Sequence, residues 1–157
     1  MPFSETDEVI KPLQFYAVTK RTNELMSEAY SSLYGIKSIG LRFFTVYGPF
    51  GRPDMALFLF TKNILDDLPI DVFNNGKHMR NFTYGDDIVE GVVSAAIKKP
   101  KFSMKDHEIF NLASREQIDL MDFIKEIEIN LGKKAKMNFM PLQKGDVPST
   151  ASDLSKM

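Results

Sequence analysis

The stretch QFYAVTKRTNEL, residues 14–25, sets a tyrosine and a lysine four positions apart. Leu25, Met26, Ala29, Tyr30 and Leu33 continue at helical spacing, and Gly35 stands where such a helix would close. The spacing predicts a helix over residues 15–34. On it, Tyr16 and Lys20 share one face. A free tyrosine has a pKa of about 10 and is a poor base at neutral pH. A neighbouring ammonium favours the phenolate and can also donate hydrogen bonds to ligand hydroxyls. Two common residues at one helical spacing also arise by chance, so the pair decides nothing by itself. The residues after it carry the decision.

Working outward, SIGLRFF (38–44) alternates Ile39, Leu41 and Phe43 on one face and reads as a strand, and TVYGPFGRPD (45–54) reads as a loop. A second helix is expected over residues 55–67 with Leu57, Phe60 and Ile64 inward. IDVF and MRNFTY read as short strands joined through Asn75-Gly76, a turn signal. A third helix is expected to start at Asp86 or Asp87, either of which could cap it. It would bury Ile88, Val92, Val93, Ala96 and Ile97 and stop before Pro100. HEIFNLA reads as a strand. DLMDFIKEIEINL reads as a helix through Leu120, Phe123, Ile124, Ile127 and Leu131, closed by Gly132, with a strand near residues 136–139 beyond it. Helices and strands interleave, so the fold class is α/β.

Composition bounds the function. Hydrophobic residues make up 43% of 157 and charged residues 26%, the profile of a soluble globular chain. Twenty basic residues against 21 acidic ones give a net charge of −1, without a basic stripe, so no nucleic-acid partner is expected. The chain has no cysteine, which excludes disulfides and thiolate metal sites. His78 and His107 lack partners at metal-ligand spacing and read as surface or satisfied structural histidines, so no metal is expected. The apolar runs are too short to cross a bilayer, and the acidic N-terminus has no signal-peptide core. A cytoplasmic protein without a membrane partner is the expectation.

Tyr16-Ala-Val-Thr-Lys20, the helix end Tyr34-Gly35, Leu41-Arg42-Phe43-Phe44 and Thr45-Val46-Tyr47-Gly48-Pro49 follow one another in a familiar order. Gly51-Arg52-Pro53-Asp54-Met55-Ala56, Arg80-Asn81-Phe82-Thr83-Tyr84-Gly85-Asp86-Asp87 and Gly145-Asp146-Val147-Pro148 continue it. Together they resemble the extended short-chain dehydrogenase/reductases that act on nucleotide sugars, and within them most of all the UDP-glucuronate 4-epimerases. The resemblance covers nearly the whole chain. It implies the C-terminal part of a Rossmann-type fold. Residues 1–50 would belong to the dinucleotide-binding domain and 51–157 to the smaller α/β substrate-binding region. It further implies that Tyr16 takes the proton from the sugar 4-hydroxyl while hydride passes to NAD, giving a 4-keto sugar that is reduced on its other face. Lys20 would hold the nicotinamide ribose, and Phe44, Tyr47 and Pro49 would border the nicotinamide. Thr45 and Arg52 would receive the glucuronate carboxylate, Arg80 the diphosphate of the UDP-sugar, and Asp146 would border the nucleotide. A homodimer built on the Tyr16 helix is implied as well, with Met26, Tyr30 and Leu33 available to it.

The sequence departs from the family pattern at Asn81, often aspartate there, and at Gly85, often bulky and apolar. No Gly-rich strand–turn–helix occurs in it, nor a preceding strand with the serine or threonine that partners the tyrosine. Both ends therefore read as cut, and the apolar faces around residues 15–44 are expected to be partly exposed. Two other readings stay open: a dehydratase or decarboxylase of the same superfamily, and a non-catalytic remnant that keeps a UDP-sugar pocket or an association surface.

Overall fold

The 20-residue run from Phe15 to Tyr34 is helical throughout (α1) and ends at Gly35 in the left-handed region, as the spacing predicts. The structure, a computed structural model, describes residues 2–9, 11–97 and 106–156; Pro100, expected to stop the third helix, lies outside them. After α1 come β1 (Ser38–Phe43), β2 (Thr45–Tyr47), α2 (Ala56–Leu65) and β3 (Pro69–Val72). A 3-10 turn at Phe73–Gly76 leads to β4 (Met79–Arg80), β5 (Phe82–Tyr84) and α3 (Gly85–Ile97). Then follow β6 (His107–Leu112), β7 (Ile118–Asp119), α4 (Leu120–Leu131) and β8 (Lys136–Phe139).

Pairing is mostly parallel and non-local. β1 lies parallel to β6, with Leu41 opposite Phe110. β2 lies parallel to β5, with Thr45 opposite Phe82. β1 and β2 are one extended run that changes partner at Phe44, whose N–H still donates to Leu112 O at 3.4 Å. Thr45–Tyr47 is therefore strand, where a loop was expected. Parallel neighbours supply its backbone partners despite the glycines and prolines just beyond it. β3 runs parallel to β8, and β4 antiparallel to β7. Asn75-Gly76 does turn the chain, with Asn74, Asn75 and Gly76 all at positive φ. The strands it joins nevertheless pair with β8 and β7 rather than with each other. Gly76 is required there twice, since a Cβ would also meet Met121 Sδ at 2.7 Å.

The core joins two helices to β3. Phe60 and Ile64 of α2 and Ile124 and Ile127 of α4 pack with Ile70 and Val72. Leu57, Leu120, Phe123 and Leu131 pack partly buried against it, so the inward faces of α2 and α4 are as expected. Asp119 caps α4 by accepting from Met121 N at 2.7 Å.

The third helix differs. It starts at Gly85, so Asp86 and Asp87 sit in its first turn and neither caps it. Their negative charge still suits the helix N-terminus. Ile88 is buried, but Val92, Val93, Ala96 and Ile97 are exposed. The periodicity marks a real apolar stripe, and nothing among the described residues covers it. α1 is similar: Leu25, Met26, Tyr30 and Leu33 are exposed, and only Ser31 of the helix is buried.

A polar clamp fixes α1 to β1. Arg42 donates to both oxygens of Glu24, Nε at 2.7 Å and Nη2 at 3.0 Å, and Arg21 Nη1 adds a contact at 3.0 Å. The Arg42 hydrogen bonds hold the Glu24 carboxyl below its ordinary 4.5, against the opposing effect of burial and with help from Arg21. A depressed folded pKa gives stability that is present above 4.5 and lost as pH falls through the folded value. Glu24→Gln should therefore lower the unfolding midpoint near neutrality and flatten its decline on acidification. Thermal melts in a pH series check this.

Candidate functional site

The site forms at the carboxyl ends of parallel strands, the place where open α/β folds bind ligands. β2 ends at Tyr47 and β5 at Tyr84, side by side in register. Tyr47, and Gly85 just beyond β5, border a cleft of about 1110 Å³. Tyr16, from the first turn of α1, lines one wall, and Phe44, Thr45, Tyr47 and Pro49 follow along β2 and its exit. Arg52 and Arg80 line the same cleft. Residues spread from 16 to 80 in the sequence thus meet at one opening.

Tyr16 is 65% exposed and also lines a second cavity of about 600 Å³ between α1 and β1. Lys20 lies in that second cavity, its Nζ 5.2 Å from the Tyr16 ring centroid. The helical spacing has brought the two groups together, with the tyrosine at the junction of the two spaces. Tyr47 is less free. Its ring packs edge-on against Phe82 at 6.4 Å and Tyr84 at 5.6 Å, and Phe82 stacks on Phe123 at 4.2 Å.

The two arginines are held very differently. Arg52 is exposed and pairs with Asp54, Nη2 to Oδ2 at 2.6 Å and Nε to Oδ1 at 3.1 Å. That carboxylate raises the guanidinium pKa further, and the guanidinium in turn holds Asp54 below its usual range. Arg80 is a clip. Nη1 donates to Met79 O and Pro148 O, and Nη2 to Asp146 Oδ1 at 3.0 Å and Val147 O at 2.7 Å. Four of its five N–H groups are thereby engaged. Asp146 is engaged too, accepting from Val147 N at 2.8 Å. The same segment reaches α1, where Gln14 Nε2 donates to Gly145 O at 2.6 Å. Gly145–Pro148 therefore links Arg80 to the start of the Tyr16 helix.

The model of the NAD dependent epimerase/dehydratase family matches residues 1–113. The chain belongs to that family. It is 56% identical over 156 residues to an uncharacterized protein of Methanocaldococcus jannaschii, covering 99% of this chain and 46% of that one. It is 40% identical over 164 residues to a probable UDP-glucuronate 4-epimerase of Rhizobium meliloti, covering 96% and 48%. Among solved structures, the UDP-glucuronic acid 4-epimerase of Bacillus cereus in complex with UDP-glucuronic acid and NAD superposes with a TM-score of 0.87. It is 37% identical, with 96% of this chain and 47% of that one covered. The chain spans about half the length of the relatives it matches, and its fold is that part of a Rossmann-type extended short-chain dehydrogenase/reductase.

Of the two departures from the family pattern, Asn81 has a local explanation and Gly85 has none in its surroundings. Asn81 is buried and donates both amide hydrogens, to Ser114 O at 2.9 Å and Glu116 O at 3.1 Å. An ionised aspartate could donate neither. At Gly85 an added Cβ would lie 3.6 Å from Tyr47 O, an ordinary contact, so a larger residue is not excluded by its surroundings.

The histidines need correction. His78 is buried, 7% exposed, with Nε2 3.4 Å from Asp146 Oδ2 and without a hydrogen-bond partner among the described residues. Burial, then Arg80, lowers its pKa against the pull of Asp146. His107 Nδ1 meets Ser38 Oγ at 2.7 Å, but its Nε2 is buried and also lacks a hydrogen-bond partner. His78 is not a surface group, His107 is half-buried, and each is incompletely satisfied. Among the described residues no group of three or more His, Cys, Asp or Glu could hold a metal, and no helix is long and apolar enough to cross a membrane. The residue that sequence reasoning passed over is Phe50, fully exposed at the cleft mouth. Its signal is the proline before it and the glycines on either side, which mark a tight turn.

Proposed function

We propose that this chain supplies the tyrosine–lysine pair and the sugar pocket of an NAD-dependent UDP-glucuronate 4-epimerase, which interconverts UDP-glucuronate and UDP-galacturonate. The observation that carries this reading is the cleft that joins Tyr16, an acid/base group, to Thr45 and Arg52, a hydroxyl and a cation suited to a carboxylate. The family and the Bacillus structure, which contains UDP-glucuronic acid and NAD, support it.

Tyr16 Oη takes the proton of the sugar 4-hydroxyl and returns one to the same oxygen after the sugar has turned over. Lys20, close against the ring, stabilises negative charge on that oxygen during transfer and reaches toward the nicotinamide ribose. Phe44, Tyr47 and Pro49 border the nicotinamide, and NAD, when bound, supplies the hydride acceptor and donor. The open cavities on both sides of Tyr16 fit that end of the cofactor. Residues 1–50 belong to the cofactor-binding domain, from which Tyr16 and Thr45 reach the sugar, and 51–157 to the substrate-binding region. Arg80 and Asp146 stand at the nucleotide, where Arg80 keeps one N–H beyond its four engaged ones. The enzyme acts in the cytoplasm as a homodimer, with exposed Met26, Tyr30 and Leu33 of α1 available to the interface.

The test joins the chain to the part of the NAD-binding Bacillus cereus UDP-glucuronic acid 4-epimerase that it does not cover and follows UDP-glucuronate by chromatography. UDP-galacturonate should form without net reduction of NAD, whereas the 157 residues alone should give no turnover. Turnover by the chain alone would overturn the division of labour. A dehydrated or decarboxylated product would overturn the epimerase assignment.

A further inference from the structure

Phe50 occupies a position that its own chemistry disfavours twice. Its side chain is fully exposed, at 105% relative accessibility, and its φ is 61°. The other described non-glycine residues at positive φ are Asp67, Asn74 and Asn75, types whose short polar side chains tolerate the left-handed region. A phenylalanine does not. Gly51 N–H donates to Gly48 O at 3.2 Å, closing a turn with Pro49 second and Phe50 third. Positive φ at the third position calls for glycine or asparagine. Glycine stands at both ends of this turn and not at the strained place between them.

The position of the ring gives the strain a purpose. Phe50 lines both the 1110 Å³ cleft and an adjoining, mainly apolar cavity of about 620 Å³, and so belongs to the ridge that Thr45, Tyr47, Gly48, Gly51 and Met55 also form between them. Arg52 lines both spaces as well, whereas Arg80 lines only the first. The ridge therefore belongs to the Arg52 end of the cleft. A ring there gains burial only when something fills the space beside it. We infer that Phe50 is a sugar-retaining residue, whose ring closes over the pyranose held between Tyr16 and Arg52 and keeps water from it. This rests on the nucleotide-sugar reading of the cleft. The ring has no hydrogen-bonding group, so it acts by packing. Its effect should be felt by the sugar and not by the diphosphate.

Calorimetric titration of the two-half enzyme, loaded with NAD, with UDP-glucuronate and with UDP tests this in the parent, Phe50→Gly and Phe50→Trp. Glycine suits the backbone, so the unfolding midpoint of Phe50→Gly should not fall. Its affinity for UDP-glucuronate should drop about tenfold, as expected for loss of an aromatic contact, with UDP affinity unchanged. Phe50→Trp should restore sugar binding. A merely structural residue would leave both affinities where they are, since glycine suits the turn. Undiminished UDP-glucuronate affinity in Phe50→Gly, or equal loss for both ligands, would overturn the inference and leave the cleft reading intact. A parent that binds neither ligand would overturn the cleft reading, and the role of Phe50 with it.

Discussion

Tyr16→Phe, in a protein carrying both this chain and a dinucleotide-binding half, should lower UDP-glucuronate turnover by about 10³-fold, within the range typical of a general acid–base group. The substitution removes one oxygen from a ring that is 65% exposed and contributes little to packing, so the unfolding midpoint should stay where it is. UDP-glucuronate affinity should also be nearly unchanged, because the missing group acts on the proton in flight and not on the bound ground state. Lys20→Met should reduce turnover too and in addition weaken cofactor binding, since the ammonium lies beside the Tyr16 ring and borders the second cavity. The two variants are thus separable by a cofactor titration. Full turnover in Tyr16→Phe would leave the tyrosine–lysine pair an ordinary feature of an exposed helix.

That pair was legible in the sequence because everything deciding its geometry is local. A helix puts residues four apart on one face whatever surrounds it. The same holds for α4, whose periodicity, Asp119 cap and Gly132 closure all lie within the segment. The stripe on α3 was legible as a stripe, but its burial was not, because periodicity does not say what covers a face. Partners chosen across long separations were hidden as well. β2 is three residues long and becomes strand only through β5, and the Asn75-Gly76 turn gives no sign that its flanking strands pair elsewhere. Arg80 was readable as a cleft cation, whereas its ion pair with Asp146, 66 positions away, was not. His78 was misread for the same reason: the carboxylate and guanidinium that face it arrive only with the fold. Phe50 escaped because its oddity is a backbone angle, which no residue list shows.

Arg52→Ala should discriminate between sugars. In the two-half enzyme, turnover of UDP-glucuronate should fall roughly 10- to 100-fold, while binding of UDP-glucose should change little, because only the first carries a carboxylate for the guanidinium. The exchange would need only a surface ion pair to break. Arg52 already holds a carboxylate, that of Asp54, in a two-bond arrangement on the surface. Exposed ion pairs are weak, so under the proposed function a substrate carboxylate entering the cleft would replace Asp54 without a large desolvation penalty. Asp54 would then compete with substrate, and Asp54→Asn should tighten UDP-glucuronate binding where Arg52→Ala weakens it. Thr45, at the start of β2, would add a hydroxyl but could not replace the charge. Equal losses for the two sugars in Arg52→Ala would remove the arginine from carboxylate recognition. A gain for UDP-glucose in Asp54→Asn equal to that for UDP-glucuronate would show that freeing the guanidinium acts through loop conformation and not through charge.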